Sequence, residues 1–343
     1  MGTVFLTYRE RTILNSVVVN FINSASPVSS KFLAKENKNS VSPATIRNVM
    51  MSLEKKGFLT HPHISAGRIP TDTGYRYYVN GLMKVERLTP LEKEKIDYDL
   101  KQASNKNVEN ILDIACDCLS DISNQLGVVL SPKFDRGIFK KLELVSLNER
   151  KLLVIVSVYS GIIKKILMEF SYNIPSNKII ETERILNERL SGLTLQQIRT
   201  SINGRMRDVS YGDKNIIEKV TKSANKIFII EEDNVHFKGT SNIFIQPEFL
   251  KSEHLGKILK LIDNQKILVR LIKSSTNEEE NISITIGKEH KETLVDSCSL
   301  ISTNYKIGDI TGKLGIIGPT RMRYEKLSGL VDYMAKGLNN LFS

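Results

Sequence analysis

The most chemically suggestive residues sit near the start of one helical segment. Ser42, Ala44, Thr45, Arg47 and Asn48 lie opposite Ile46, Val49, Met50 and Leu53, whose i, i+3, i+4, i+7 spacing marks the buried side of a helix. Arg and Asn each offer paired hydrogen-bonding groups that match a base edge, and Ser and Thr contact bases or phosphates. Ser42, Thr45, Arg47 and Asn48 are therefore the candidate base-reading residues. Lys31, Lys35, Lys55, Arg68 and Arg76 are candidates for phosphate contacts, which position a protein on a duplex without reading its sequence.

Other chemistries find less support. The five histidines, His61, His63, His236, His254 and His290, form no recognisable catalytic motif with Ser, Cys or Asp. His61 and His63 have no Cys or acidic ligand close by, so no metal site is assigned. Gly308, Gly312, Gly315 and Gly318 invite a nucleotide-loop reading. It fails, because three residues rather than four separate the first pair, and Leu314 follows Lys313 where a phosphate loop needs Ser or Thr. These glycines read as a turn into a closely packed strand. Cys116 and Cys118 stand two apart on a helix, where side chains do not face each other, and Cys298 is distant. All three read as small apolar fillers in a reducing compartment. The sequence implies no cofactor and no enzyme.

The candidate residues need a scaffold, and the local pattern supplies one. A helix is expected over Thr7 to Asn23, with Thr7 and Glu10 as a capping box and Ile13, Leu14, Val17, Val18 and Phe21 as its apolar stripe. Ser24 to Pro27 breaks it. Ser29 opens a short second helix that buries Phe32 and Leu33 and ends near Asn37 to Asn39. Ser42 caps the third helix, Pro43 takes its first position, and Gly57 follows its end at Lys56. Two extended pieces, Phe58 to Thr60 and Arg68 to Pro70, flank a loop carrying Pro62 and Gly67 and fit a β-wing, with Arg68 on it. A further helix opens at Thr71; its aromatic residues read as packing the wing against the helices rather than stacking on bases, with Arg76 and Tyr75 within reach of a DNA backbone as the alternative. This is the pattern of a winged helix-turn-helix.

Charge agrees with that placement. Residues 1–87 hold twelve Lys or Arg against five Asp or Glu, a net +7 of the chain's +11. A basic terminal domain on a near-neutral body points to a polyanion. At 343 residues, 41% apolar and 25% charged, the chain has the composition of a globular protein of two or three domains. Its longest apolar run, Leu152 to Ile163, is too short to span a bilayer and no targeting segment is visible, so no membrane role and a cytoplasmic location are expected.

The body alternates strand and helix signals. Lys84 to Pro90 reads as a linker, and Asn107 to Gly127 as an amphipathic helix. A β-meander follows from Phe139 to Phe170, with turns at Asn148 to Arg150 and at Ser160-Gly161. Helical spacing returns over Asn187 to Ile202 and Asn215 to Ile227. Residues 227–237, 282–287, 298–302 and 313–317 read as strands, and Tyr324 to Leu341 as a closing helix.

Several blocks resemble HrcA, the bacterial heat-inducible transcription repressor family. They are Val28 to Lys31, Ser42 to Asn48, His63 to Asp72 and Gly74 to Val79, then Gly239 to Phe244, Gln246 to Phe249, Ile286 to Glu289 and Gly315 to Tyr324. The resemblance runs through essentially the whole chain. One departure is Val49, where the family usually carries an acidic residue; Val49 lies toward the core. The resemblance implies an α+β protein with a winged helix-turn-helix over 1–83 and a linker and helix over 84–106. It then implies a GAF-like domain over 107–175 and 236–343, interrupted by an inserted dimerisation domain over 176–235. It also implies a homodimer on an inverted-repeat operator of the CIRCE type, ahead of chaperone operons, with activity modulated by the chaperonin GroEL. The alternative is a metabolite-sensing regulator whose GAF-like domain binds a small ligand.

Overall fold

The computed structural model describes residues 5–36, 41–63, 67–132, 136–161, 163–228, 234–250, 252–274, 282–308 and 310–342. Helix α1 (Tyr8–Ser24) begins at the expected capping box: Glu10 N–H donates to Thr7 Oγ1, and the Glu10 carboxylate accepts from Thr7 N–H. Ala25, in the left-handed region, ends it. In α2 (Ser30–Glu36) the first-turn N–H of Phe32 donates to Ser29 Oγ. Helix α3 (Pro43–Lys55) is capped by Ser42, and Gly57 lies just past it at φ +82°. Strands β1 (Leu59–Thr60) and β2 (Ile69–Pro70) pair antiparallel, and α4 (Asp72–Gly81) follows, capped by Thr71.

Leu14, Val17, Leu33, Ile46 and Leu53 are fully buried between these helices. Truncating one of the leucines to Ala costs about 2–5 kcal/mol by lost transfer energy and cavity formation. Phe32 departs from expectation. It is 51% exposed, because Leu33 and Ala34 take the inward positions of this short helix. The turn expected at Asn37 to Asn39 and the loop tip Ile64 to Ala66 lie outside the described residues.

The segment 84–106 is a connection followed by a helix, as the linker-and-helix reading has it. Helix α5 (Pro90–Ala103) starts at a Thr89–Glu92 capping box and packs against α6 (Val108–Ser123). Asn124, at φ +53°, ends α6, so Leu126 and Gly127 leave the expected helix and join strand β3 (Leu126–Leu130). Gly127 is required there, since a Cβ would stand 2.5 Å from the Cys116 carbonyl oxygen.

The meander is present as β4 (Phe139–Asn148), β5 (Lys151–Val158) and β6 (Ile163–Glu169), antiparallel in that order. Four helices follow: α7 (Ser176–Leu190), α8 (Leu195–Arg205), α9 (Lys214–Lys222) and α10 (Ala224–Phe228). The helical stretch read over Asn187 to Ile202 is two helices, split at Gly192 (φ +76°) and restarted by the Thr194 cap. Of the strand read over 227–237, Ile227 and Phe228 are helical, 229–233 lie outside the described residues, and β7 (Val235–Lys238) remains. The chain closes with α11 (Thr240–Phe244), α12 (Ser252–Asp263), α13 (Gln265–Ser274), β8 (Ser283–Ile286), β9 (Cys298–Ile307), β10 (Ile310–Pro319) and α14 (Tyr324–Leu341).

Five strands in the order β7-β3-β10-β9-β8 form one antiparallel sheet. Helices α1 to α6 and α14 share one hydrophobic cluster with the sheet, and α11 to α13 share another with the alternate strand residues. The chain leaves this sheet after β3 and returns with β7. Between them, β4 to β6 and α7 to α10 enclose a separate core that includes Phe139, Leu142, Val154, Leu186, Ile198 and Phe228. The expected boundaries are therefore corrected. The meander placed in the first part of the central domain, 107–175, belongs with the helices of the inserted segment, and that segment begins near residue 136. Alternation shows that a strand has one covered face but not which helices cover it.

Candidate nucleic-acid interface

Arg47, Asn48 and Lys55 lie exposed on the outer face of α3, and Lys31 and Lys35 lie exposed on the adjoining α2. Among the described residues, none of these five side chains has an ion pair or a hydrogen bond. Ser42 and Thr45 are differently employed. Ser42 Oγ accepts from Thr45 N–H at 3.1 Å and lies 2.9 Å from Thr45 Oγ1, so both hydroxyls serve the start of α3.

A buried carboxylate fixes the far end of α3. Glu10 accepts from Lys56 Nζ at 2.6 Å, Ser52 Oγ at 2.8 Å and Thr7 N–H at 2.9 Å, tying the first turn of α1 to the last of α3. The Lys56 ammonium above all, with the Thr7 N–H, holds the Glu10 carboxyl at about 2, against desolvation acting the other way.

Glu54, also on α3, holds the residues on either side of the β1–β2 connection. It pairs with Arg68 at 2.8 Å and contacts His61 Nδ1. Burial alone would raise its carboxyl, but His61 and Arg68 outweigh that and hold it below the usual carboxylate range. The expectation that no acid stands near His61 is thus corrected: Glu54 is seven residues away but across the helix–ribbon junction. Arg68 also exchanges two backbone hydrogen bonds with Val28, at 2.8 and 2.9 Å. The neighbouring Gly67 leaves no room for a Cβ against the Val28 carbonyl. Arg68 stands beside strand β2, with its guanidinium engaged by Glu54 rather than extended outward.

Arg76 faces elsewhere. Its Nε donates to Glu289 at 2.7 Å, Nη2 donates to Glu289 and to the Ile284 carbonyl, and Nη1 donates to Asn80 of the same helix at 3.3 Å, so the Nε and Nη2 donors are taken by the body of the protein. The expected phosphate contact is replaced by a clamp between domains. Tyr75 packs inward, in keeping with the packing expected of the aromatic residues of α4. It is 2% exposed and packs on the Tyr324 ring at 5.8 Å between centroids.

These two residues belong to a seam that local sequence patterns did not reveal. Lys288 N–H donates to Asp72 at 3.0 Å, where Gly287 (φ +51°) lets the carboxylate approach. Tyr78 OH donates to Glu325 at 3.2 Å. Arg321 pairs with Glu248 and donates to the Ile22 carbonyl at 2.8 Å. Parts of two separate motif blocks, around Gly287 and Arg321, therefore bond to the first 83 residues, and Glu248 of a third block holds Arg321.

The profile of the HrcA protein C-terminal domain matches residues 109–327. The heat-inducible transcription repressor HrcA of Chlorobium limicola is 38% identical over 357 residues, covering 100% of this chain and 99% of that protein. That of Prosthecochloris aestuarii is 37% identical over 353 residues, again covering 100% and 99%. The chain belongs to the HrcA family. The HrcA profile spans α6 to the first turn of α14, so the likeness of the basic N-terminal helices rests on the full-length HrcA relatives. A crystal structure of a hypothetical protein shares the mixed α and β fold, with a TM-score of 0.63, 21% identity, and coverage of 98% of this HrcA-family chain and 99% of that one. Among the described residues, no helix is long and apolar enough to cross a membrane.

Proposed function

We propose that this chain is a heat-inducible transcription repressor that binds an inverted-repeat DNA operator as a homodimer. In this reading α1 to α3 with β1 and β2 form a winged helix-turn-helix, and α3 enters the major groove. The observation that carries it is the outer face of α3, where Arg47 and Asn48 are exposed and unpartnered among the described residues of a domain with net charge +7. Arg47 suits the O6 and N7 acceptors of guanine, and Asn48 the N6 and N7 groups of adenine. Lys31, Lys35 and Lys55 neutralise phosphates. Arg68 joins them by exchanging Glu54 for a phosphate oxygen. Ser42 and Thr45 reach the groove only at its edge, through hydroxyls shared with the cap.

One helix reads too few base pairs to select an operon, so two copies on a palindrome are needed. The inserted segment offers a surface for that pairing. On the outer face of its sheet, Val145 stands opposite Leu153, and Leu153 opposite Leu167. Val145, Leu167 and Ile163 are 42%, 49% and 59% exposed. The five-stranded sheet with its helices is read as GAF-like. Its face beneath α11 to α13 is filled by the fully buried Leu126, Val128, Phe249, Leu261 and Leu268, which argues against a ligand pocket there.

Dependence on the chaperonin GroEL fits a discontinuous sheet. Strand β3 can complete its pairing only after about a hundred residues of inserted chain have been accommodated, and such late, non-local pairing exposes apolar surface during folding. The test is selection from a random duplex library, followed by a count of chains per bound duplex. Enrichment of an inverted repeat carrying two chains supports the proposal, with GroEL and ATP raising the active fraction on refolding. Failure to enrich any sequence contradicts it.

A further inference from the structure

Within the outer face of α3 lies one side chain that hydrogen bonding to bases does not explain. At about 100° per residue, Met51 projects between Arg47 and Asn48, one turn further along, with Ala44 and Lys55 lying between its direction and that of Asn48. It is 43% exposed, the one methionine among the described residues that stands out to solvent; Met50 beside it is 3% exposed. Ile46, Met50 and Leu53 already occupy the inward face of the helix, so Met51 has no place in the core.

An apolar side chain at the centre of a groove-facing surface carries a specific consequence. The major-groove edges of the bases are hydrogen-bonding groups, with one exception, the C5-methyl of thymine. Set against any other edge, Met51 would strip water from polar atoms without replacing their hydrogen bonds. Set against thymine, it buries a methyl group. The Cα–Cβ bond of Met51 tilts toward the helix N-terminus, which carries the thioether over the turn that bears Arg47 and Asn48. Its flexible, polarizable chain can adjust to the methyl position without strain.

We propose that Met51 reads thymine: it packs on the C5-methyl of one thymine in each half-site, next to the bases contacted by Arg47 and Asn48. This rests on the repressor reading above. Burying one methyl group corresponds to about a fourfold gain per half-site, and a symmetric operator doubles the free energy, giving about fifteenfold.

The experiment takes the duplex enriched from the library and replaces each thymine in turn, symmetrically in both half-sites, by uracil. Uracil keeps base pairing and every hydrogen-bonding group and removes only the methyl. The full-length protein should lose about fifteenfold in affinity at one thymine position. Met51→Ala should be nearly indifferent to the same replacement, and Met51→Leu should retain most of the discrimination. Thermal melting of both variants, altered only at an exposed position, should match the parent. A uracil penalty as large in Met51→Ala as in the parent, or no penalty at any thymine, overturns the assignment. If no sequence is enriched from the library in the first place, the repressor reading itself fails and this inference falls with it.

Discussion

Arg47 on α3 and Arg76 on α4 belong to the same basic domain, yet they have opposite environments. Arg47 is exposed and has no partner among the described residues, whereas Arg76 spends its donors on Glu289 and the Ile284 carbonyl. Charge counting treats the two alike. The difference teaches that a cation is available to a ligand only when its own fold leaves its hydrogen bonds unmade, and that the rest of the positive charge is structural. Arg68 stands between these cases, since Glu54 holds it in place but only at the rim of the domain.

The sharpest way to break this comparison is to remove both base readers. Arg47→Ala combined with Asn48→Ala deletes two paired contacts, each worth about 1–3 kcal/mol of discrimination. Operator affinity in an equilibrium titration should fall about a hundredfold or more, and affinity for a scrambled duplex by less than tenfold. Equal losses on both duplexes would reduce the face to a source of charge.

A second change tests what holds the face rigid. Glu10→Gln should lower stability by about 2 kcal/mol, since hydrogen bonds to a charged group are lost at a buried site. It is read as a fall in melting temperature at neutral pH. The carboxyl is held at about 2 in the folded protein, below its ordinary 4.5. The unfolded chain therefore takes up this proton first as pH falls, and the Glu10 contribution is full above about pH 4.5 and fades toward pH 2. The gap between parent and Glu10→Gln should narrow across that window. A gap that stays constant would mean that packing, not charge, is the contribution of Glu10.

Arg76→Ala should cost somewhat less, about 1–2 kcal/mol, by unmaking charge-assisted hydrogen bonds at a partly exposed seam. Amide exchange at Ile284 to Glu289 should speed up while the salt dependence of DNA binding keeps its slope. A shallower slope would return Arg76 to the phosphates. The smallest effect is expected of Lys55→Ala: about a threefold loss on operator and scrambled duplex alike, with the log–log salt slope of the two-chain complex reduced by about two.

Much of this was legible in the sequence because it is local. The caps at Thr7, Ser42 and Thr71, the closing helix Tyr324–Leu341 and the close-packed glycines all follow from neighbours a few residues apart. Gly312 and Gly315 do press against Tyr305 and the Ile301 carbonyl, as a packed-strand reading requires. What was hidden is long-range. Nothing near Arg76 announces Glu289, and nothing near Ile22 announces Arg321. Likewise, the alternation of Leu142, Leu144, Val154 and Val156 specified a covered sheet face, while its membership in the inserted segment emerged only from the shared core with Leu186 and Ile198. Phe32 misled for a different reason, since a seven-residue helix has too few turns for periodicity to separate its inner and outer faces.

The most direct test sets Arg47→Ala beside Arg76→Ala in one titration at fixed salt, against the selected operator and its scrambled version. The ratio of operator to scrambled affinity should drop at least about tenfold for Arg47→Ala and remain that of the parent for Arg76→Ala. A ratio unchanged by Arg47→Ala, or one that collapses with Arg76→Ala, would contradict the division between reading cations on α3 and clamping cations on α4.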